Sequence, residues 1–124
     1  MSTIVLKFGG TSVATTELIK SAASIVKKEY DAGNNLAVVV SAMAGTTNSL
    51  INFVKEINSS VDSEYDVVVS SGEQVTSGLM SMALNQLGVP SRSWLGWQLP
   101  IITSGPHRNS LIEKINVEKI LKDF

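Results

Sequence analysis

The sequence predicts an α/β domain with a mainly parallel sheet, on two observations. Two short aliphatic runs, Ile4 to Phe8 and Leu36 to Val40, are separated by a stretch whose apolar residues recur at helical spacing. Each run also feeds directly into a loop of small and polar residues, Gly9 to Ser12 and Ser41 to Asn48. Strand, helix, strand with one hand of connection is a βαβ unit.

The elements follow in order. Ile4 to Phe8 reads as a buried strand. Leu18, Ile19, Ala22, Ala23, Val26 and Tyr30 then mark one face of a helix that Thr15 or Thr16 can cap, or Thr11 or Ser12 if it starts earlier, and that Gly33 ends. Leu36 to Val40 is consecutively aliphatic, as expected of a central parallel strand covered on both faces. Leu50, Ile51, Val54 and Ile57 mark a second helical face. Residues 61 to 88 give two signals: Val67-Val68-Val69 favours a strand, whereas Val75, Leu79, Met82, Ala83 and Leu87 keep helical spacing until Gly88 and Pro90. Ser93 to Trp97 and Pro100 to Thr103 read as short strands, and Asn116 as the cap of a last helix through Leu121.

At 124 residues, 44% hydrophobic and 17% charged, the chain fits one globular domain. A net charge of -1 with scattered lysines speaks against nucleic acid as a partner. Without cysteine there is neither disulfide nor thiolate metal site, and one histidine, His107, cannot build a His-rich centre. No run approaches the roughly 18 apolar residues of a membrane span and no signal-peptide pattern opens the sequence, so no membrane partner and a cytoplasmic location are expected. Asn58-Ser59-Ser60 then matches a glycosylation sequon by chance.

Three polar clusters could carry chemistry. Lys7-Phe8-Gly9-Gly10-Thr11-Ser12 puts a lysine and two glycines at a turn following a strand. Unpaired N–H groups at a helix start attract phosphate, glycines let it approach, and a lysine can neutralise oxygens during phosphoryl transfer. The competing reading is a turn whose glycines only satisfy backbone geometry. Ser41 and Thr47 could hold a carboxylate through their hydroxyls and nearby N–H groups, or could simply cap the following helix. Glu73, in Ser70-Ser71-Gly72-Glu73, is expected to be partly buried and to need a cation, either a ligand amine or a protein lysine; the commoner alternative is a solvated carboxylate on a helix. There is no G-x-x-x-x-G-K-S/T, G-x-G-x-x-G, H-E-x-x-H or G-x-S-x-G pattern.

In order, Lys7-Phe8-Gly9-Gly10-Thr11-Ser12, Val38-Val39-Val40-Ser41-Ala42-Met43, Gly45-Thr46-Thr47-Asn48, Ser71-Gly72-Glu73, Trp97-Gln98 and Ile102-Thr103 followed by His107 closely resemble the aspartokinase family. The resemblance implies the amino-acid-kinase fold, a three-layer αβα sandwich, with residues 1–124 as the N-terminal, aspartate-binding portion of that domain. It implies transfer of the ATP γ-phosphoryl group to the side-chain carboxylate of L-aspartate, the first step of lysine, threonine and methionine biosynthesis, with Mg2+ accompanying ATP. Lys7 then matches the lysine at the transferring phosphate, with Gly9, Gly10 and Ser12 in the phosphate loop. Ser41 and Thr47 match aspartate-binding positions, and Glu73 the glutamate that holds the α-amino group. The resemblance also favours helix over most of residues 63 to 87. Two departures stand out. Arg108 follows His107 where the family usually has glycine, so no role is carried to that loop. The family's nucleotide-binding half and regulatory ACT domains have no counterpart in these 124 residues, so the isolated chain is expected not to catalyse. The alternative is a non-catalytic binding or assembly module whose exposed sheet edge pairs with another chain, a homo-oligomer among the outcomes.

Overall fold

The computed structural model describes residues 1–58 and 60–124; Ser59, within the sequon, lies outside the described residues. Strand β1 (Thr3–Phe8) leads through a 3-10 turn at Gly10–Val13 into helix α1 (Thr16–Asp31). Strand β2 (Asn35–Val40) follows, then α2 (Thr46–Ile57), α3 (Asp62–Gln86), β3 (Ile101–Ser104), β4 (Leu111–Ile115) and α4 (Glu118–Asp123). The fold is α/β, and β1 and β2 pair in parallel with Ile4 opposite Leu36 and Phe8 opposite Val40.

Side chains alternate across a strand, so the even-numbered residues of both strands share a face. That face, with Leu6, Phe8, Leu36, Val38 and Val40, packs on a core made of Val13, of Ile19, Ala22, Ala23 and Val26 from α1, and of Met80, Leu84 and Val89. Helices α1 and α3 therefore cover the same side of the sheet. On the other face Val5 is 66% and Val39 46% exposed. β2 thus differs from the expected central strand: it pairs with β1 alone, and on its second face Val39 stays exposed and Ala37 is only half-buried. Of the three layers the resemblance implies, the described residues supply the parallel sheet and the helices on one side.

Thr15 caps α1, accepting from the Leu18 N–H at 3.2 Å. Residues 62 to 86 form one helix, with Val67-Val68-Val69 inside it, so the strand signal there loses to tertiary packing against α1 and α2. Hydroxyls that would compete with the helix are absorbed by it: Ser70, Ser71 and Thr76 donate to the carbonyls of Val67, Val68 and Gly72. The buried stripe of α3 is Gly72, Thr76, Met80 and Leu84, while Val75 and Met82 of the expected apolar face are 55% and 70% exposed. Small residues at 72 and 76 bring the helix axis close, which hydrophobicity does not register.

The expected strand at Ser93 to Trp97 does not form. Its backbone groups are used locally: the Leu95 N–H donates to Gln98 Oε1 at 2.8 Å, and the Leu95 carbonyl accepts from the N–H groups of Gln98 and Leu99. The Asn85 amide reaches forward from α3 to the Ser91 carbonyl at 2.9 Å and fixes the entry to this segment. β3 does form, but it pairs antiparallel with β4, a strand not anticipated, and the sheet β3–β4 is separate from β1–β2. The last helix forms at Glu118–Asp123, but its N-cap is Val117 and not Asn116; Asn116 stands one residue earlier, its Oδ1 accepting from the Glu118 N–H at 3.0 Å.

Candidate active site

The loops after β1 and β2 lie side by side at the carboxyl ends of the two strands. Ser41 donates its N–H to the Phe8 carbonyl at 3.2 Å, and Ala44 donates to the Gly10 carbonyl at 3.2 Å. Gly10 is required by this closeness, since a Cβ there would stand 2.9 Å from the Ala42 carbonyl oxygen. Gly9 has open space within 4 Å of where a Cβ would be, so its missing side chain leaves the loop surface clear.

The 3-10 turn separates this loop from α1, whose own N-terminus is occupied by the Thr15 cap. Of the two starts the sequence allows for this helix, the later one, at Thr15, is the one formed. The free donors sit elsewhere. Gly10 and Thr11, at the start of the 3-10 turn, have N–H groups without acceptors among the described residues. The same holds for Thr47 and Asn48 in the first turn of α2. Two sets of unpaired N–H groups thus border adjoining loops, an arrangement suited to anions.

α2 begins after Gly45, the N-cap residue, which takes φ 85 and offers no side-chain acceptor to the first turn. A residue with a Cβ would be strained in that left-handed conformation. Thr47 lies one residue inside the helix, and neither its hydroxyl nor that of Ser41 has a partner among the described residues. The alternative in which these hydroxyls cap α2 is thereby excluded.

Lys7 is exposed on the odd-numbered, open face of β1 with no ion-pair partner among the described residues. Ser12 is exposed in the 3-10 turn. Glu73, expected to be partly buried, is exposed, because it stands at the margin of α3 beyond the buried Gly72. It is nevertheless held: Oε1 accepts the Ala42 N–H at 3.3 Å, and no protein lysine pairs with it. The protein-lysine alternative for Glu73 thus fails among the described residues.

Two residues that carry this geometry, Ala42 and Gly72, had not been singled out as site residues. Ala42 is 5% exposed, and a Cβ on Gly72 would stand 2.9 Å from its methyl. The signal available in sequence was a glycine inside a helix beside a glutamate, which costs helix stability unless something must come close.

The loop between β3 and β4 reaches a different part of α3. His107 Nδ1 lies 2.6 Å from Asp66 Oδ2, Arg108 Nε lies 2.9 Å from Asp62 Oδ1, and the Arg108 guanidinium stacks 3.9 Å over the Tyr65 ring. Arg108 itself takes φ 66, the conformation glycine favours.

Residues 2–123 match the model of the amino acid kinase family. The chain belongs to that family. Within it, the chain is 48% identical over 125 residues to an aspartate kinase of Stutzerimonas stutzeri, covering 100% of this chain and 30% of that protein. It is 45% identical over 126 residues to an aspartokinase of Rickettsia felis, covering 98% of this chain and 31% of that one. Among solved structures it is similar to the aspartate kinase from Synechocystis, with a TM-score of 0.70 and 40% identity over 74% of this chain and 16% of that one. The chain spans about 30% of the length of the aspartokinases it matches.

Proposed function

We propose that residues 1–124 are the aspartate-binding portion, with part of the phosphate side, of an aspartate kinase that makes 4-phospho-L-aspartate in the cytoplasm from L-aspartate and ATP. The observation that carries this reading is the convergence of two loops with unpaired N–H groups, the free hydroxyls of Ser41 and Thr47, the anchored carboxylate of Glu73 and the unpaired Lys7. A zwitterionic amino acid needs a carboxylate for its ammonium and donors for its carboxylate. Glu73 supplies the first through Oε2, since Oε1 is engaged by Ala42. Ser41, Thr47 and the first turn of α2 supply the second. The acceptor oxygen of aspartate is already an anion, so no general base is required and the task is to position it and offset the charge on the transferring group. Lys7, with Gly9, Gly10 and Ser12, fills that role on the phosphate side.

ATP enters as a substrate whose nucleoside end lies beyond what these residues provide, so the isolated chain binds aspartate without turnover. Among the described residues no group of three or more His, Cys, Asp or Glu is placed to hold a metal ion. No described helix is long and apolar enough to cross a membrane.

Calorimetric titration of the chain with L-aspartate tests the reading. Saturable binding that Glu73→Ala weakens by about tenfold, the effect of one charge-assisted contact, is expected; no heat at millimolar ligand contradicts it. The assembly reading has one observation in its favour, the exposed Val5 and Val39 on the open sheet face. A concentration-independent monomer by light scattering argues against it.

A further inference from the structure

We propose that Ala42 is the spacer that holds the two site loops and α3 at a fixed separation, and that Gly72 is the positioning residue that accepts it. Three elements meet at this one residue. Its N–H is bound by Glu73 Oε1 at 3.3 Å, its carbonyl oxygen lies where only glycine fits at position 10, and its methyl faces Gly72 with room for a hydrogen and nothing larger. Thr46 Cγ2 and Leu50 Cδ1, from α2, would stand 3.4 and 3.5 Å from a Cβ at 72, so the α2 side of the socket is close as well. Ala42 is buried although it sits in a loop otherwise made of half-buried and exposed residues.

The consequence concerns spacing. Glu73 and Ser41 are the neighbours of Gly72 and Ala42 in the chain. The contact between the two small residues therefore sets how far the carboxylate stands from the hydroxyl and from the N–H groups of α2. Through the Ala44 N–H bond to the Gly10 carbonyl, 3.2 Å long, the same contact sets the position of the Lys7 to Ser12 loop. A Cβ at 72 meets a backbone-borne methyl that cannot rotate away, so the loop must move as a unit.

The helix contains its own control. Gly78 lies six residues further along α3 with nothing within 4 Å of where a Cβ would be. Alanine is favoured over glycine inside a helix, so Gly78→Ala should be benign and Gly72→Ala should not. The functional half of this proposal rests on the aspartate-binding reading, so the test keeps a readout that does not. In the 124-residue chain, amide resonances and hydrogen exchange of Ser41, Ala42 and Ala44 are compared among wild type, Gly72→Ala, Gly78→Ala and the double variant Ala42→Gly with Gly72→Ala. Aspartate affinity is measured alongside.

Gly72→Ala is expected to shift those three amides and speed the exchange of Ala44, while amides elsewhere stay put, and to weaken aspartate binding by about tenfold, as overpacking of a tight contact does. Gly78→Ala leaves both unchanged. The double variant restores the amides, and restores affinity to within about threefold, which a general loss of stability would not predict. Equal amide spectra for Gly72→Ala and Gly78→Ala, or a double variant that stays displaced, overturn the proposal. If Gly72→Ala does not fold, a double variant that folds with wild-type amides supports it, and one that does not fold overturns it. If the wild-type chain binds no aspartate, the proposed function fails while the amide comparison still decides the spacing.

Discussion

Residues 1 to 89 and residues 90 to 124 are held by different forces. Every buried residue among those described lies in the first region, from Val13 to Val89, whereas all five residues of β4 are exposed. The first region is built by apolar burial of α1 and α3 against one sheet face, tightened where glycines allow backbones to touch. The second is fastened by polar and ring contacts at the surface: His107 to Asp66, Arg108 to Asp62 and Tyr65, Lys119 to the Gln98 carbonyl, and Arg92 over Trp94. All the candidate site residues belong to the first region. The proposed site, which would have to hold several groups in register, thus lies where packing, which is short-ranged and hard to deform, sets the distances.

The strongest way to break this comparison is to truncate side chains in each region. Met80→Ala and Leu84→Ala should each cost about 2–5 kcal/mol in chemical denaturation, as buried large-to-small changes do. Leu111→Ala and Ile112→Ala, at residues 72% and 64% exposed, should stay within about 0.5 kcal/mol. Similar losses in both regions would mean that the hairpin β3–β4 is packed in solution against something absent from this arrangement.

A finer cut contrasts two adjacent glycines. Gly10→Ala drives a Cβ to 2.9 Å from the Ala42 carbonyl and should destabilise by about 1–3 kcal/mol, whereas Gly9→Ala meets nothing and should be near neutral for stability. Thermal unfolding of the two variants in parallel reads this directly, and equal midpoints would sink the account of the loop junction.

The smallest effects belong to the surface clasp. Arg108→Ala loses an ion pair and a ring contact while keeping the strained φ of 66, and should cost about 1 kcal/mol, less at high salt. Arg108→Gly loses the same contacts but relieves about 1 kcal/mol of left-handed strain, so its net effect should be close to zero. A larger loss for Gly than for Ala would show that the backbone at 108 is not strained.

The sequence made the first region legible because its signals are local and agree with one another. Two aliphatic runs, a Thr15 cap and small-residue loops each predict the same βαβ unit, and the structure has it. The motifs at Lys7 and Ser41 mark the loops that follow β1 and β2, and Glu73 marks the helix beside them. What sequence could not give was the distance between them, which depends on Gly10 and Gly72 meeting Ala42 across 32 and 30 residues of chain. The buried face of α3 differs from the one hydrophobicity predicts for the same reason, since Gly72 and Thr76 are buried for their smallness. In the second region, Ser93 to Trp97 has strand propensity but finds no partner edge and folds on its own side chains, and β4 is recognisable only once β3 is there to pair with it.

The most direct test of the central claim, that the loops after β1 and β2 together with Glu73 form a preassembled seat for aspartate, is an amide-resolved NMR titration of the chain with L-aspartate. The account predicts saturable shifts concentrated at residues 41 to 48 and at Glu73, with Gly10 and Thr11 responding when a phosphate anion is added and residues 100 to 124 unmoved. Shifts centred on residues 90 to 124, or none at millimolar aspartate, would contradict it.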